Sequence, residues 1–331
     1  MVSQTERRLV TRRRIDALRP ISGADRIEVA RVDGWDVVVK RGEFAVGDDA
    51  LYFEIDSLLP AHDERFAFLR RSSAGDHIRL RTIKLRGQVS QGLLLPTSAF
   101  PELRYDEELA AQLGVVLWEP PVPTELAGPV SGAIPVFIRK TDQERVQNMP
   151  SIIADSEGMV FEVTVKLDGT SMTVFHNAGR VGVCGRRFQF ASDNTNSLCT
   201  TAHALNIPEQ LTRLGRNIAI QGELMGPKIQ GNTERLSTHQ FFVFDVWDID
   251  NQRYLPAAER GDLVGAFGLQ SVPLVHRDFR IPSGWTIDDL LRMADGPSLS
   301  ASVAREGVVF KAVDGTMSFK VISNAWLVQH E

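Results

Sequence analysis

Apolar and polar residues alternate in short runs through the first hundred positions. RIEVARVDGWDVVVKRGEFAVGDDALYFEIDSLLP (26–60) changes face every second residue, and Asp33-Gly34 and Gly47-Asp48 interrupt it. A period of two broken by Asp-Gly and Gly-Asp pairs predicts a β-meander with tight turns. HIRLRTIKLRGQVSQGLLLP (77–96) supplies further strands of the same kind. In EPPVPTELAGPVSGAIP (119–135) proline and glycine replace any period, and beyond it strands are mixed with helices. FEVTVKLDG, SMTVFHN and RVGVCGRR read as successive antiparallel strands joined by tight turns. IAIQGELMG, FFVFDVWDID, EGVVFKAVD and MSFKVIS read as further strands. SLCTTAHALNIPEQLTRLG has a helical period with Pro208 as a break or a new start, and residues 256–296 read as mostly helical.

Five or so strands within about 100 residues suit an OB-like β-barrel. The expected organisation is therefore α+β: an OB-like nucleic-acid-binding domain over 1–118, a linker over 119–135, and a domain of antiparallel sheets and helices over 136–331. A chain of 331 residues is long for one small core, which agrees with two domains. Hydrophobic residues at 43% and charged residues at 24% are ordinary for a globular protein. No run of about 18 apolar residues predicts a membrane span. MVSQTERRLVTRRR is basic but lacks the apolar core of a secretory signal. Cys184 and Cys199 are too few for a disulfide framework or a four-cysteine zinc site, so a cytoplasmic location is expected. The net charge of −5 hides an asymmetry: residues 1–91 carry 17 Lys+Arg against 14 Asp+Glu, a balance of +3, which leaves −8 for the rest. Arg79, Arg81, Lys84 and Arg86 alternate along one run, either as a phosphate-facing surface or as the solvent side of a strand.

Charge also interrupts the apolar strands of the second half. VTVKLDGTSM (163–172) places Lys166 in the body of a strand and Asp168-Gly169 just after it. Desolvating an ammonium group is costly unless it is paired. Glu223 in IQGELMG, Glu306 and Lys311 in EGVVFK, and Lys320 in SFKVIS repeat the pattern. Several such residues within one domain point to a shared pocket where opposite charges compensate.

Lys166-Leu-Asp-Gly169 resembles the Lys-x-Asp-Gly nucleotidyl-lysine motif of the covalent nucleotidyltransferases, the polynucleotide ligases and mRNA capping enzymes. The motif alone is short, but the rest of that family's set follows in order. Arg186 comes after the next hairpin, then Glu223 on a strand, Phe244-Asp245, Glu-Gly-x-Val-x-Lys (306–311) and Phe319-Lys320. The chain is similar to the small ATP-dependent RNA ligases of the Deinococcus and Naegleria type, which place an OB-like domain before the ligase domain. Only about eleven residues follow Lys320, too few for the OB domain that DNA ligases and capping enzymes carry after their last motif. The NAD-dependent DNA ligases also need a zinc finger that two cysteines cannot build.

The resemblance implies a nucleotidyltransferase fold of the ligase/ATP-grasp-like kind. It also implies an ATP-dependent RNA ligase joining 3′-OH and 5′-phosphate ends through Lys-AMP and RNA-adenylate. Its expected substrate is a nick in an RNA or RNA/DNA hybrid duplex, with RNA on the 3′-OH side, sealed by a monomer. Lys166, Lys320 and Arg186 are the catalytic set; Lys166, Glu223, Phe244, Lys311, Lys320 and Arg145 hold ATP. Asp168 and Glu306 face Mg²⁺ or Mn²⁺, and Glu223 reaches the ribose hydroxyls. Phe242 competes with Phe244 for the adenine, being two residues away on a regular strand. Lys140 is a further phosphate candidate, and Asp248 and Asp250 belong either to the metal's outer shell or to a strand-end turn. A lysine amine attacking the α-phosphate is almost fully protonated at pH 7, so burial and nearby cations are expected to lower its pKa. Ser318 stands where relatives carry another lysine; either Lys311 supplies that charge or the pocket holds one cation fewer. The alternatives are a DNA ligase, a GTP-using capping guanylyltransferase, or a non-catalytic RNA-binding protein on a ligase fold.

Overall fold

The computed structural model describes residues 7–70, 75–119, 126, 128–191 and 195–330. Its N-terminal part is built from short strands. They are β1 (Val10–Arg14), β2 (Ala17–Ile21), β3 (Ala24–Val32), β4 (Trp35–Lys40), β5 (Asp49–Phe53) and β6 (Ser57–Pro60), followed by β7 (His77–Arg79), β8 (Thr82–Leu85), β9 (Gln88–Gln91), β10 (Leu93–Pro96) and β11 (Val116–Leu117). A short helix α1 (Leu109–Gln112) precedes β11. Three small sheets, ordered β1-β5-β10, β2-β3-β4 and β11-β6-β7, surround a double core, and β8-β9 form a separate hairpin.

Strand β5 explains why ALYFEI is a continuous apolar run rather than an alternation. Leu51 and Phe53 pack with Phe66 and Phe100 on one side, and Ala50 and Tyr52 pack with Trp35 and Val37 on the other. A strand buried on both faces carries no polar stripe. Gly92, at φ +92°, turns the chain into β10; a Cβ there would lie 2.4 Å from the Phe53 carbonyl oxygen. The strands outnumber the five or so expected because turns and a register shift at Pro20/Ile21 cut the meander into pieces.

The second part has two sheets. Strands β12 (Val130–Ala133), β15 (Thr170–Asn177), β16 (Arg180–Cys184), β17 (Phe188–Phe190), β18 (Ile218–Met225), β19 (Gln240–Asp248), β20 (Arg253–Tyr254) and β21 (Gln270–Ser271) make the larger one. Strands β13 (Glu144–Arg145), β14 (Phe161–Lys166), β22 (Leu274–Phe279), β23 (Gly307–Ala312) and β24 (Ser318–Ile322) make the smaller, in the order β13-β24-β23-β14-β22. The helices are α2 (Ile152–Asp155), α3 (Ser197–Ala204), α4 (Ile207–Leu214), α5 (Ala257–Ala266), α6 (Ile287–Ala294) and α7 (Asn324–His330). Helices α3 and α4 cover the larger sheet through Leu198, Ala202, Ile207 and Leu211. Pro208 falls in the first turn of α4, where the proline's missing N–H is harmless. Helix α6 opens on a Thr286/Asp289 capping box and lays Leu290 against the stacked rings of Phe310 and Phe319, 4.8 Å apart.

Three differences from the sequence pattern matter. Strands β14 and β15 are not hairpin partners, because β14 pairs with β22 and β23 while β15 pairs with β16 and β18. Leu167-Asp168-Gly169 is therefore a crossover between sheets, fixed by Val165, Leu167, Met225, Phe242 and Val272, which pack together. Strand β22 lies where mostly helix was expected; as an edge strand with no fully buried residue it leaves no period of two to read. Of the stretch read as a linker, residues 120–125 and 127 lie outside the described residues, and Val130–Ala133 pairs with β17 in the larger sheet.

The two parts are tied by polar contacts at β13 and α6. Arg31 donates to both carboxylate oxygens of Asp288, at 2.8 and 2.6 Å. The Asn148 side chain accepts from Arg13 (2.9 Å) and Trp35 Nε1 (2.8 Å) and donates to Glu144 (2.8 Å). Gly34 sits so close that a Cβ would meet the Gln147 Cα at 2.7 Å. Among the described residues no helix is long and apolar enough to cross a membrane.

Candidate active site

The two sheets of the second part flank a cavity of about 470 Å³. The smaller sheet contributes Lys166, Glu306, Lys311 and Lys320, and the larger contributes Ser171, Glu223 and Phe244. The crossover between them brings Asp168 and Gly169 to the same wall. Two glycines make this approach possible. A Cβ on Gly169 would lie 2.5 Å from the Leu224 carbonyl oxygen, and one on Gly307 would lie 2.1 Å from that of Val321. With no side chain in the way, the Gly169 N–H donates to Glu223 at 3.1 Å.

Lys166 Nζ is 2.5 Å from Glu306 Oε2. Burial acts to lower the lysine pKa, but Glu306, Glu223 and Asp168 together raise it above the ordinary value. This overturns the expected lowering. The three carboxylates outweigh burial, so Lys166 rests as an ammonium ion. The carboxylates are strained in the opposite sense. Burial, with Glu306 and Asp168 adding to it against Lys166, pushes Glu223 up to about 8; burial and Glu306 push Asp168 up to about 6. One lysine among three acids leaves negative charge uncompensated, which suits a divalent cation. Among the described residues no three His, Cys, Asp or Glu side chains converge closely enough to hold a metal by themselves.

The positive end lies along β24. Lys320 is pushed down to about 7 by burial first, then by Arg145, Lys166 and Arg7. Arg145 is its register neighbour, because β13 runs parallel to β24. The Arg145 guanidinium reaches Asp56 at 4.0 Å, and its Nη1 is buried without a partner. Ser318 is exposed and donates to Gln143 at 2.5 Å, and Lys311 does not replace the missing cation. Lys311 Nζ is instead held by Asp245 at 2.7 Å and the Phe244 carbonyl at 2.8 Å, and burial lowers its pKa. Arg145 and Arg7 are the arginines nearest Lys320, and Arg7 is itself paired with Glu54 at 2.9 Å.

Phe244 and Phe242 separate cleanly. The β18–β19 register shifts between Gln221 and Gly222, so that Val243 and Asp245 have partners and Phe244 bulges between them. Phe244 lines the cavity, while Phe242 is 4% exposed and packs with Val165 and Met225. Arg186 stands at the rim, half exposed, with Asp142 accepting from it at 2.7 Å. Asp248 accepts from the Asn251 backbone and side chain, both at 3.0 Å, which settles it as a strand-end turn. Lys140 lies just outside, with Arg139, Gln221 and Arg186 around a water-sized recess.

Sequence reasoning missed the N-terminal contribution. Arg7, Asp56 and Trp118 line the same cavity. Asp56 pairs with Arg79 at 2.7 Å, whose guanidinium lies 3.2 Å from the centre of the Trp118 ring. Arg79 is therefore held away from Lys84 and Arg86 on the hairpin. Only the basic RRLVTRRR run hinted at Arg7; nothing local marks Asp56 or Trp118.

Comparison with known proteins is in keeping with this geometry. Residues 9–97 match an OB-fold domain family and residues 159–322 match the RNA ligase family. An apo variant of Naegleria gruberi RNA ligase superposes with a TM-score of 0.92 at 44% identity, covering 98% of each chain. Two further variants of that ligase, one with AMP and Mn and one with ATP and Mn, are both 45% identical with TM-scores of 0.92. They cover 98% and 97% of this chain and 99% of theirs. No curated protein sequence matches. A cleft between two sheets, lined by a strand lysine, acidic groups and a terminal-strand lysine, defines a covalent nucleotidyltransferase site on an OB-fold-bearing chain. The chain belongs to the RNA ligase family.

Proposed function

We propose that this RNA ligase uses ATP and a divalent cation, Mg²⁺ or Mn²⁺, to seal nicks in duplexes with RNA on the 3′-OH side, including RNA/DNA hybrids. The observation that carries the reading is the convergence of Lys166, Glu223, Phe244, Glu306 and Lys320 on one cavity large enough for a nucleotide. Phe244 offers the cavity-facing side of its half-buried ring to adenine. Glu223, pushed up to about 8 and so mostly protonated at neutral pH, takes the ribose hydroxyls. Lys320 and Arg145 line the phosphate side, and Arg186 at the rim takes the RNA 5′-phosphate.

Glu306 Oε2, at 2.5 Å, is the nearest base to receive the Lys166 proton. The freed amine attacks the α-phosphorus, the N–P bond forms, and the bond to the bridging oxygen breaks with release of pyrophosphate. Lys320, protonated when phosphate approaches, stabilises the charge building on the transferring group. Asp168, with the second oxygen of Glu306, would hold a divalent cation, which would supply positive charge favouring the neutral amine and screening the α-phosphate. The RNA 5′-phosphate then displaces Lys166 from AMP, and the 3′-hydroxyl displaces AMP from the RNA-adenylate. Both domains of one chain complete the cavity, which supports a monomer, and the two buried free thiols, Cys184 and Cys199, suit a cytoplasmic setting.

The test is incubation with α-labelled ATP or GTP, magnesium or manganese, and no nucleic acid. An acid-labile, hydroxylamine-sensitive label that Lys166→Ala abolishes is expected. Label surviving that substitution overturns the nucleophile, label from GTP points to capping, and no label from either nucleotide points to the binding-protein alternative. A nicked series with RNA or DNA on each side of the break then decides the substrate.

A further inference from the structure

The N-terminal hairpin and the C-terminal helix meet beside the catalytic cleft. Strand β8 lies against α7, which follows directly from Lys320 and β24. On α7, Trp326 and His330 are one turn apart with their rings stacked, 4.4 Å between centroids and 13° between planes. His330 Nδ1 is 2.9 Å from the Trp326 carbonyl oxygen, which holds the imidazole over the indole. The helix is anchored from beneath by buried Leu327 and by the Trp326 N–H donating to Ser323 Oγ at 3.0 Å. His330 is exposed, yet near enough to Asp168 for its charge to act on that carboxylate.

The hairpin is unusual in what it leaves uncovered. Arg86-Gly87, both at positive φ, fold it into a tight turn, and Ile83 and Leu85 stay 45% and 38% exposed. Lys84 and Arg86 are exposed alongside them. Cations alternating with aliphatic side chains, continued by a stacked aromatic pair, are the surface a nucleic-acid strand needs: charge for phosphate and flat faces for bases. A protein partner would call for a broader continuous apolar patch.

We propose that the β8–β9 hairpin and the outer face of α7 form the track for the RNA strand that ends in the 3′-hydroxyl, with Lys84 and Arg86 on its phosphates and the Trp326–His330 pair stacked on its terminal base. The assignment rests on the ligase reading above, in which Arg186 takes the 5′-phosphate from the larger-sheet side. Helix α7 follows β24 of the smaller sheet, so this track would bring the 3′-hydroxyl in from the side away from Arg186.

The test uses the full chain and a nicked duplex already adenylylated at its 5′-phosphate, so that the ATP step is bypassed. His330→Ala and Trp326→Ala should lower sealing about tenfold, as for loss of one base–aromatic stack. On a nick whose 3′-terminal nucleotide lacks its base, that penalty should shrink to about twofold or less, and His330→Tyr should restore sealing. The Lys84→Ala/Arg86→Ala pair should reduce the slope of log Kd against log salt by about 2. The proposal falls if the stacking penalty is the same on the abasic nick, if the salt slope does not move, or if labelling of Lys166 by ATP drops as much as sealing does. Failure of the wild-type chain to seal the adenylylated nick at all indicts the ligase reading instead.

Discussion

Replacing Lys320 by methionine tests whether the cationic end of the site is held in readiness for phosphate. Protonated Lys320, with its pKa moved from 10.5 to about 7 by burial, Arg145, Lys166 and Arg7, is destabilised by about 5 kcal/mol relative to water. A triphosphate brought alongside reverses the sign of its surroundings and returns the proton. At pH 8 only about a tenth of Lys320 is charged in the free enzyme, so nucleotide binding should take up about 0.9 proton there. At pH 7 the uptake should be about half a proton, and at pH 6 about a tenth. Calorimetric titration with an ATP analogue carrying a methylene between the α- and β-phosphates, run in buffers of different ionisation enthalpy, counts these protons. The difference between wild type and Lys320→Met isolates the contribution of this lysine from that of the carboxylates. Equal uptake by the two proteins, or a Lys320 contribution that grows below pH 7, refutes the reasoning. Stability provides a second readout. Below about pH 7 the lysine is charged both folded and unfolded and the full penalty applies. As pH rises from 7 toward 10.5 the folded form is neutral while the unfolded chain binds the proton, so stability climbs. Lys320→Met should therefore stabilise the free enzyme most at low pH, with the advantage fading as pH increases.

Other perturbations separate binding from folding. Phe244→Ala should raise the ATP KM about tenfold with little change in unfolding midpoint, whereas Phe242→Ala, in the core, should cost about 3–5 kcal/mol in urea unfolding. Gly307→Ala forces a Cβ to within 2.1 Å of the Val321 carbonyl and should cost about 1–3 kcal/mol by prying β23 from β24, read by the same titration. Asn148→Ala strands the Trp35 N–H and removes one of the Arg13 contacts at the domain junction, and should cost about 1–3 kcal/mol while speeding proteolysis between the domains.

Much of the site was legible because its chemistry violates a local rule. Lys166, Glu223, Glu306 and Lys320 are charges inside apolar strands, and such charges are expelled from cores unless something pairs with them. Their order along the chain was enough to suggest a single pocket. Phe244 was harder, since an aromatic residue in FFVFDVW looks like core; the bulge at Gln221/Gly222 that turns it outward is a property of the pairing with β18, not of the strand. Lys311 sat in the right motif, but Asp245 across the pocket claims its charge. The hidden strand β22 and the crossover at Leu167–Gly169 escaped for a similar reason, because an edge strand and a sheet-to-sheet connection have no periodicity of their own.

By itself the sequence marked the candidate charges Lys166, Glu223, Glu306 and Lys320 and most of the strands that carry them, because burial periodicity and misplaced charge are local properties of the chain. Only the tertiary structure decided how the charges compensate. It set Lys166 against Glu306, placed Arg145 and Arg7 nearest Lys320, and carried Asp56 and Trp118 from the N-terminal domain into the cleft. Electrostatic interaction falls with distance through space, not along the chain, so the protonation of each group depends on neighbours up to hundreds of residues away.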